Sequence, residues 1–182
     1  PPPAPALFEA PKFTLTNGFG ETFGTKDLQG KVYLANFFYT QCPTSGCSDR
    51  MKKMQVIQKR LRGLGQSVAL VSFTVDPVQD TPEKLHSYAR DLQANPYIWK
   101  FLTGEKEEIQ RIVRQGFNLP LGEREPVKSP KEDLNMYKID HPTRLVLVDE
   151  KGQVLGFYDY SDQSIDNLMI DIGLIVNRNE LY

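Results

Sequence analysis

Cysteine and histidine are scarce in this chain, with two of each in 182 residues. The histidines, His86 and His141, are too few for metal chemistry that needs several imidazoles. Two thiols likewise cannot staple a disulfide-rich miniature scaffold. No apolar run approaches the ~20 residues of a membrane span, and the best, Val32–Phe38, is broken by Asn36. Neither sign of charge is in excess. Lys and Arg number 22 against 23 Asp and Glu, for a net charge of -1. That balance removes the basic footprint of a nucleic-acid binder.

What is present is ordinary for a soluble domain: 40% hydrophobic and 25% charged residues, which excludes disorder and collagen. A chain of this length buries roughly 70% of its unfolded surface without staples. Residues 1–11 open with PPPAPAL, which lacks the charged and apolar regions of a targeting segment. Its proline spacing favours extended polyproline II and reads as a semi-rigid tether. With Pro1 in place of an initiator Met, an upstream signal or membrane anchor is expected to have been cut away.

From residue 12 to 182 the periodicities alternate. Phe13–Phe23 reads as a hairpin around Asn17-Gly18, a favoured turn pair. Val32–Phe38 and Val68–Val75 are continuous apolar runs, as buried strands of a covered sheet require. Met51, Met54, Ile57 and Leu61 keep helical spacing until Gly63, and at that spacing the methionines belong to the core rather than to a thioether site. Thr81-Pro82-Glu83 starts a helix carrying Leu85, Tyr88, Ala89 and Leu92, with Asp80 read as turn and cap chemistry. His86 falls off its apolar face and reads as solvated. Asp76 ends the second strand, where it could contact a partner or tune a thiol. Ile98–Leu102 is a short strand and Glu105–Gln115 a helix ended by Gly116. Asn118–Asp140 lacks periodicity and is read as an inserted, functional element. Arg144–Asp149 and Gln153–Tyr160 form a hairpin, and a helix bearing Ile165, Leu168, Ile172 and Val176 closes the chain. The order implies one three-layer α/β domain.

The two cysteines, Cys42 and Cys47, lie together between the first buried strand and a helix. In open α/β sheets this is where ligands bind. Residues five apart on a regular helix point about 140° away from each other, so the pair cannot converge from within one helix. Pro43 pushes Cys42 towards an extended conformation and Gly46 permits an unusual turn. Cys42 is therefore expected on a loop folded back over Cys47. Cys47 would sit in the helix's first turn, where free N–H groups lower a thiol pKa. Three uses fit: a structural disulfide, a redox-active dithiol, or a thiolate pair for a soft ion such as Cu(I), completed by an imidazole from elsewhere.

Residues 37–51 (FFYTQCPTSGCSDRM), 71–85 (VSFTVDPVQDTPEKL) and 139–154 (IDHPTRLVLVDEKGQV) together resemble the Sco/SenC/PrrC family. The likeness runs from about Phe13 to Asn177 with the parts in the family's order. It implies a thioredoxin-like fold, with a central mixed sheet flanked by helices, that binds copper through Cys42, Cys47 and His141. It also implies an assembly factor rather than a turnover enzyme. Such a factor would deliver copper to the copper-site subunit of cytochrome c oxidase, or reduce that subunit's cysteines, and would draw on a thiol reductant. Its place would be extracytoplasmic and membrane-tethered, on the periplasmic side of a bacterial membrane or in the mitochondrial intermembrane space. The family's usual spacing has three residues between the cysteines and a Pro after the second. Here there are four, and Ser48. On a helix the extra residue turns one thiol by about 100° unless the loop absorbs it.

A thiol-disulfide oxidoreductase or peroxidase of the same fold is the rival reading. The chain lacks the Trp-Cys-x-x-Cys of such reductases and the Thr-x-x-Cys of such peroxidases, and neither class needs His141. A binding module with a purely structural disulfide is the third.

Overall fold

In a computed structural model, which describes residues 5–127 and 136–179, ten strands and four α-helices are present among the described residues. Strands β1 (Phe8–Glu9), β2 (Thr14–Asn17), β3 (Thr22–Gly24), β4 (Val32–Phe38), β5 (Val68–Thr74), β6 (Trp99–Thr103), β9 (Leu145–Val148) and β10 (Gln153–Tyr158) form one sheet. Its order is β1-β10-β9-β4-β5-β6-β2-β3. The central β4, β5 and β6 are parallel, and β9 and β2 run antiparallel on either side. A separate two-stranded ribbon joins β7 (Arg124–Pro126) to β8 (Tyr137–Ile139). The helices are α1 (Ser45–Arg60), α2 (Pro82–Asp91), α3 (Lys106–Gln110) and α4 (Asp162–Asn179). None of them is long and apolar enough to cross a membrane.

Every residue of β4 and β5 is buried, because helices or loops cover both faces of the sheet. Side chains alternate along a strand, so each strand feeds two cores. Tyr33, Ala35, Phe37, Val71 and Phe73 meet Phe13, Ile109, Ile112 and Phe117 on one face. Val32, Leu34, Phe38 and Leu70 meet Met51, Met54, Ile57, Leu85, Leu168 and Ile172 from α1, α2 and α4 on the other. The two methionines are core residues, as their spacing implies. Asn36, which breaks the apolar run of β4, is fully buried yet partnered. Ser72 donates to its Oδ1, and its Nδ2 donates to Tyr160 Oη at 3.3 Å. Trp99 Nε1 in turn donates to Ser72 Oγ at 2.8 Å, so this polar chain leaves none of these groups orphaned.

Five local expectations change. The first hairpin does not turn tightly on Asn17-Gly18. It turns over residues 18–21, with Gly20 at φ +74°, while Asn17 Oδ1 accepts from the N–H groups of Phe19 and Glu21. A positive φ is inexpensive at glycine and an Asn side chain competes for turn amides, so the turn moves along the chain. Residues 8 and 9, placed in the tether, pair with β10, and Pro11 packs where any Cβ on Gly116 would stand 2.4 Å from its ring. The helix over Glu105–Gln115 is α3 followed by a wide turn, Arg111–Gly116, in which Phe117 N–H reaches Ile112 O at 2.9 Å. The aperiodic Asn118–Asp140 contains β7 and β8; its residues 128–135 lie outside the described part. Asp80 does not cap α2. Thr81 does, its hydroxyl accepting from Lys84 N–H at 3.4 Å.

Candidate functional site

The parallel strands β4 and β5 end side by side, Phe38 opposite Thr74, and their C-terminal ends open towards the cysteines. Backbone from β4 runs through Thr40 and Gln41 to Cys42, and α1 begins at Ser45, so Cys47 lies in its first turn. Cys42 and Cys47 are joined as a disulfide with Cα atoms 6.3 Å apart, within the 4.4–6.8 Å that bonded pairs span. The segment Cys42–Thr44 is not helical, and this is how the additional residue is absorbed. The Thr44 hydroxyl lies 3.4 Å from Cys42 Sγ and 3.5 Å from Cys47 Sγ. An Arg50 guanidinium nitrogen donates to Cys47 Sγ at 3.4 Å. Both cysteines are half-buried, so the bond is reachable from solvent.

Asp80 fixes the base of this loop. It is fully buried and accepts from the Thr40 N–H at 3.1 Å, from the Thr40 hydroxyl, and from the Thr74 hydroxyl at 2.6 Å. Burial raises its carboxyl above the ordinary value, against the pull of these three donors. Ahead of Thr81-Pro82, Asp80 reads from sequence as a cap, whereas its partners are Thr40 and Thr74. A buried carboxylate needs donors, and hydroxyls at both strand ends were the available signal.

His141 stands on the loop between β8 and β9. Its Nδ1–H donates to the Ile139 carbonyl at 2.8 Å, which leaves Nε2 with its lone pair. Burial holds the imidazole below its ordinary value; the Ile139 carbonyl opposes that, and the Arg50 cation adds to it. A neutral ring of this tautomer is what a metal requires. The ring meets Tyr39 edge-on at 5.3 Å, and the Cys42 N–H reaches the Tyr39 carbonyl at 3.4 Å. Tyr39 is thus the link between the cysteine loop and the histidine loop. His141 does not, however, join the sulfurs in a cluster. Among the described residues, no three of His, Cys, Asp and Glu are gathered closely enough to hold a metal ion. The structure brings Cys42 and Cys47 together, and His141 meets the ring of Tyr39, whose carbonyl accepts from the Cys42 N–H. His86 is exposed, against Phe19, as its position on α2 implied. Asp76 turns inward to Arg124 and Tyr137.

Two sulfurs at a strand-to-helix junction can exchange between disulfide and dithiol, and the dithiol can hold a soft ion with few further donors. The chain is similar to proteins of one family. The family described as SCO1/SenC matches residues 3–176. The SCO1 protein homolog of Bacillus subtilis is 30% identical over 171 residues, covering 92% of this chain and 83% of that one. A SCO1/SenC family lipoprotein from Bacillus anthracis aligns with a TM-score of 0.77 at 29% identity, over 92% of this chain and 95% of that one. Yeast Sco1, solved with copper bound, aligns with a TM-score of 0.71 at 26% identity, over 91% of this chain and 88% of that one. The fold is thioredoxin-like, and the chain belongs to the SCO1/SenC family.

Proposed function

We propose that this chain is a copper-binding assembly factor for cytochrome c oxidase, acting through Cys42, Cys47 and His141. The observation that carries the reading is the cysteine pair itself. It is close enough to bond and partly open to solvent, and His141, which meets Tyr39 at the foot of the cysteine loop, has its Nδ1 already engaged. Copper is the cargo. In the reduced protein, the two thiolates suit Cu(I), a soft ion content with low coordination, and His141 Nε2 is the third donor. The Ile139 carbonyl fixes the tautomer that presents this nitrogen. Copper-bound yeast Sco1 supports the cargo, and membership of the family supports the partner, the copper-site subunit of the oxidase.

The same pair has a redox role in this reading. One thiolate of the reduced chain attacks a disulfide of the partner and forms a mixed disulfide. The second thiol then displaces the partner's sulfur and closes Cys42–Cys47. Two electrons and two protons pass to the partner, and a separate thiol reductant reopens the pair. An oxidising, extracytoplasmic compartment at a membrane surface fits a chain whose cysteines are bonded.

The second reading, a thiol-disulfide oxidoreductase with no metal, is favoured by one observation: the sulfurs are bonded and His141 lies outside their cluster. The two separate in one experiment. Reduced, copper-loaded chain is mixed with an isolated copper-site domain of the oxidase whose cysteines are already reduced. Copper moving to that domain supports the assembly reading. No transfer, together with reduction of the same domain in its disulfide form, supports the oxidoreductase.

A further inference from the structure

At the end of β5 the Asp76 carboxylate is 3% exposed, yet it belongs to neither the cysteine loop nor α2. Among the described residues, its partners come from the β7–β8 ribbon. Arg124 in β7 reaches Oδ1 through Nε at 3.1 Å and through a second guanidinium nitrogen, and the Tyr137 hydroxyl in β8 donates to Oδ2. The guanidinium carbon also lies 4.4 Å from the centre of the Tyr137 ring. A forked guanidinium and a hydroxyl on the two oxygens of one buried carboxylate allow little freedom to either strand. The ribbon is thereby pinned to the end of β5. A backbone bond from Gly122 N–H to Asp140 O, at 2.8 Å, closes its base.

What the ribbon carries is His141. Two residues after Tyr137, Ile139 donates its N–H to Tyr39 Oη at 3.0 Å, while its carbonyl receives the His141 Nδ1–H. The Tyr137 ring is stacked on Tyr39, 6.2 Å between centroids and 19° between planes, and Tyr39 in turn meets the imidazole edge-on. Of the two groups that orient the imidazole, the Ile139 carbonyl belongs to the strand that Asp76 grips, and the Tyr39 ring is touched by that strand on its face and at its hydroxyl.

We propose that Arg124 and Tyr137, through their shared bond to Asp76, are positioning residues for His141, fixing the direction in which its free Nε2 is presented to the cysteine pair. The proposal rests on the copper reading above and adds a part of the site that the cysteine and histidine motifs do not contain. Partners that orient a ligating histidine typically matter by 10–100-fold in metal affinity. Two thiolates hold Cu(I) without much help, so the effect belongs mainly to Cu(II), which favours nitrogen donors.

The test uses Arg124→Ala and Tyr137→Phe in the full chain, the second removing a single hydroxyl. Amide hydrogen exchange at Ile139 is read first, on metal-free protein. Both variants are expected to speed it at least tenfold while amides of β4 and β5 keep the parent's rates. Copper is then added to the reduced proteins. Cu(II) affinity should fall roughly tenfold or more, with a shifted sulfur-to-copper charge-transfer band, and Cu(I) affinity should change less than threefold. Unchanged Ile139 exchange in both folded variants overturns the proposal. So does an equal loss of both ions, which would mean general loosening. A parent that binds neither ion refutes the copper reading instead, and the metal-free exchange data still decide whether Asp76 grips the His141 strand.

Discussion

The backbone N–H and the hydroxyl of Thr40 both donate to the buried carboxylate of Asp80, two residues ahead of Cys42. The turn that presents the first thiol is therefore anchored from the loop after β5 as well as by its own Cys42–Tyr39 backbone bond. Replacing Asp80 by Ala leaves the Thr40 N–H and the Thr74 hydroxyl without their acceptor. An unsatisfied buried donor costs about 1–3 kcal/mol, so Asp80→Ala is expected to lose at least that much in denaturant unfolding. A loss below half a kcal/mol would mean that Thr40 finds water.

The same residue gives a pH dependence. Burial raises the Asp80 carboxyl in the folded state, so the native protein holds this proton more tightly than the unfolded chain. Its contribution is fully present below the unfolded carboxyl's value and is lost as pH rises through the raised, folded one. Asp80→Asn lacks that titration. The stability of the parent relative to Asp80→Asn should be greatest in acid and shrink as pH climbs past the ordinary carboxylate range. Parallel curves for the two proteins would remove Asp80 as the source.

Reduction should be tolerated but measurable. Closing a loop of about six residues restricts the unfolded chain by about 2 kcal/mol in the chain-entropy account. The disulfide form is therefore expected to unfold at higher denaturant than the dithiol by about that much. Thiol counts should go from zero to two under mild reductant. A pair that stays closed in the native protein under such reductant would return the disulfide to a purely structural role.

The methionines separate core from site. Met54 is fully buried on α1. Met54→Ala should cost about 2–5 kcal/mol, whereas Met54→Leu should cost under about 1.5 kcal/mol and leave copper affinity unchanged. Weaker copper binding in Met54→Leu would make the thioether a donor after all.

The sheet and the helix faces were legible in different ways: β4 and β5 are buried on both faces and so read as continuous apolar runs, whereas one buried face writes a period of 3.6 into α1 and α4. The cysteine loop was legible for a different reason. Helix geometry forbids two thiols five apart from meeting, and Pro43 and Gly46 left only a folded-back loop. The grip of Asp76 on Arg124 and Tyr137 was not legible, since it joins residues 48 and 61 positions apart. The exchange of roles between Asp80 and Thr81 was hidden too. Both are good caps, and only the donors waiting at the ends of β4 and β5 decide which of them turns inward. His141 was singled out through the family resemblance, but its contact with Tyr39 was not legible, because Tyr39's sequence position says nothing of its role.

The most direct test is an anaerobic titration of the reduced protein with Cu(I) against a competing chelator, beside Cys42→Ser and Cys47→Ser. The account predicts one copper per chain and loss of that binding in either variant. Copper at 100 times the dissociation constant should also add about 2.7 kcal/mol to the unfolding free energy. Identical unfolding curves with and without excess Cu(I), under reducing conditions, would contradict it.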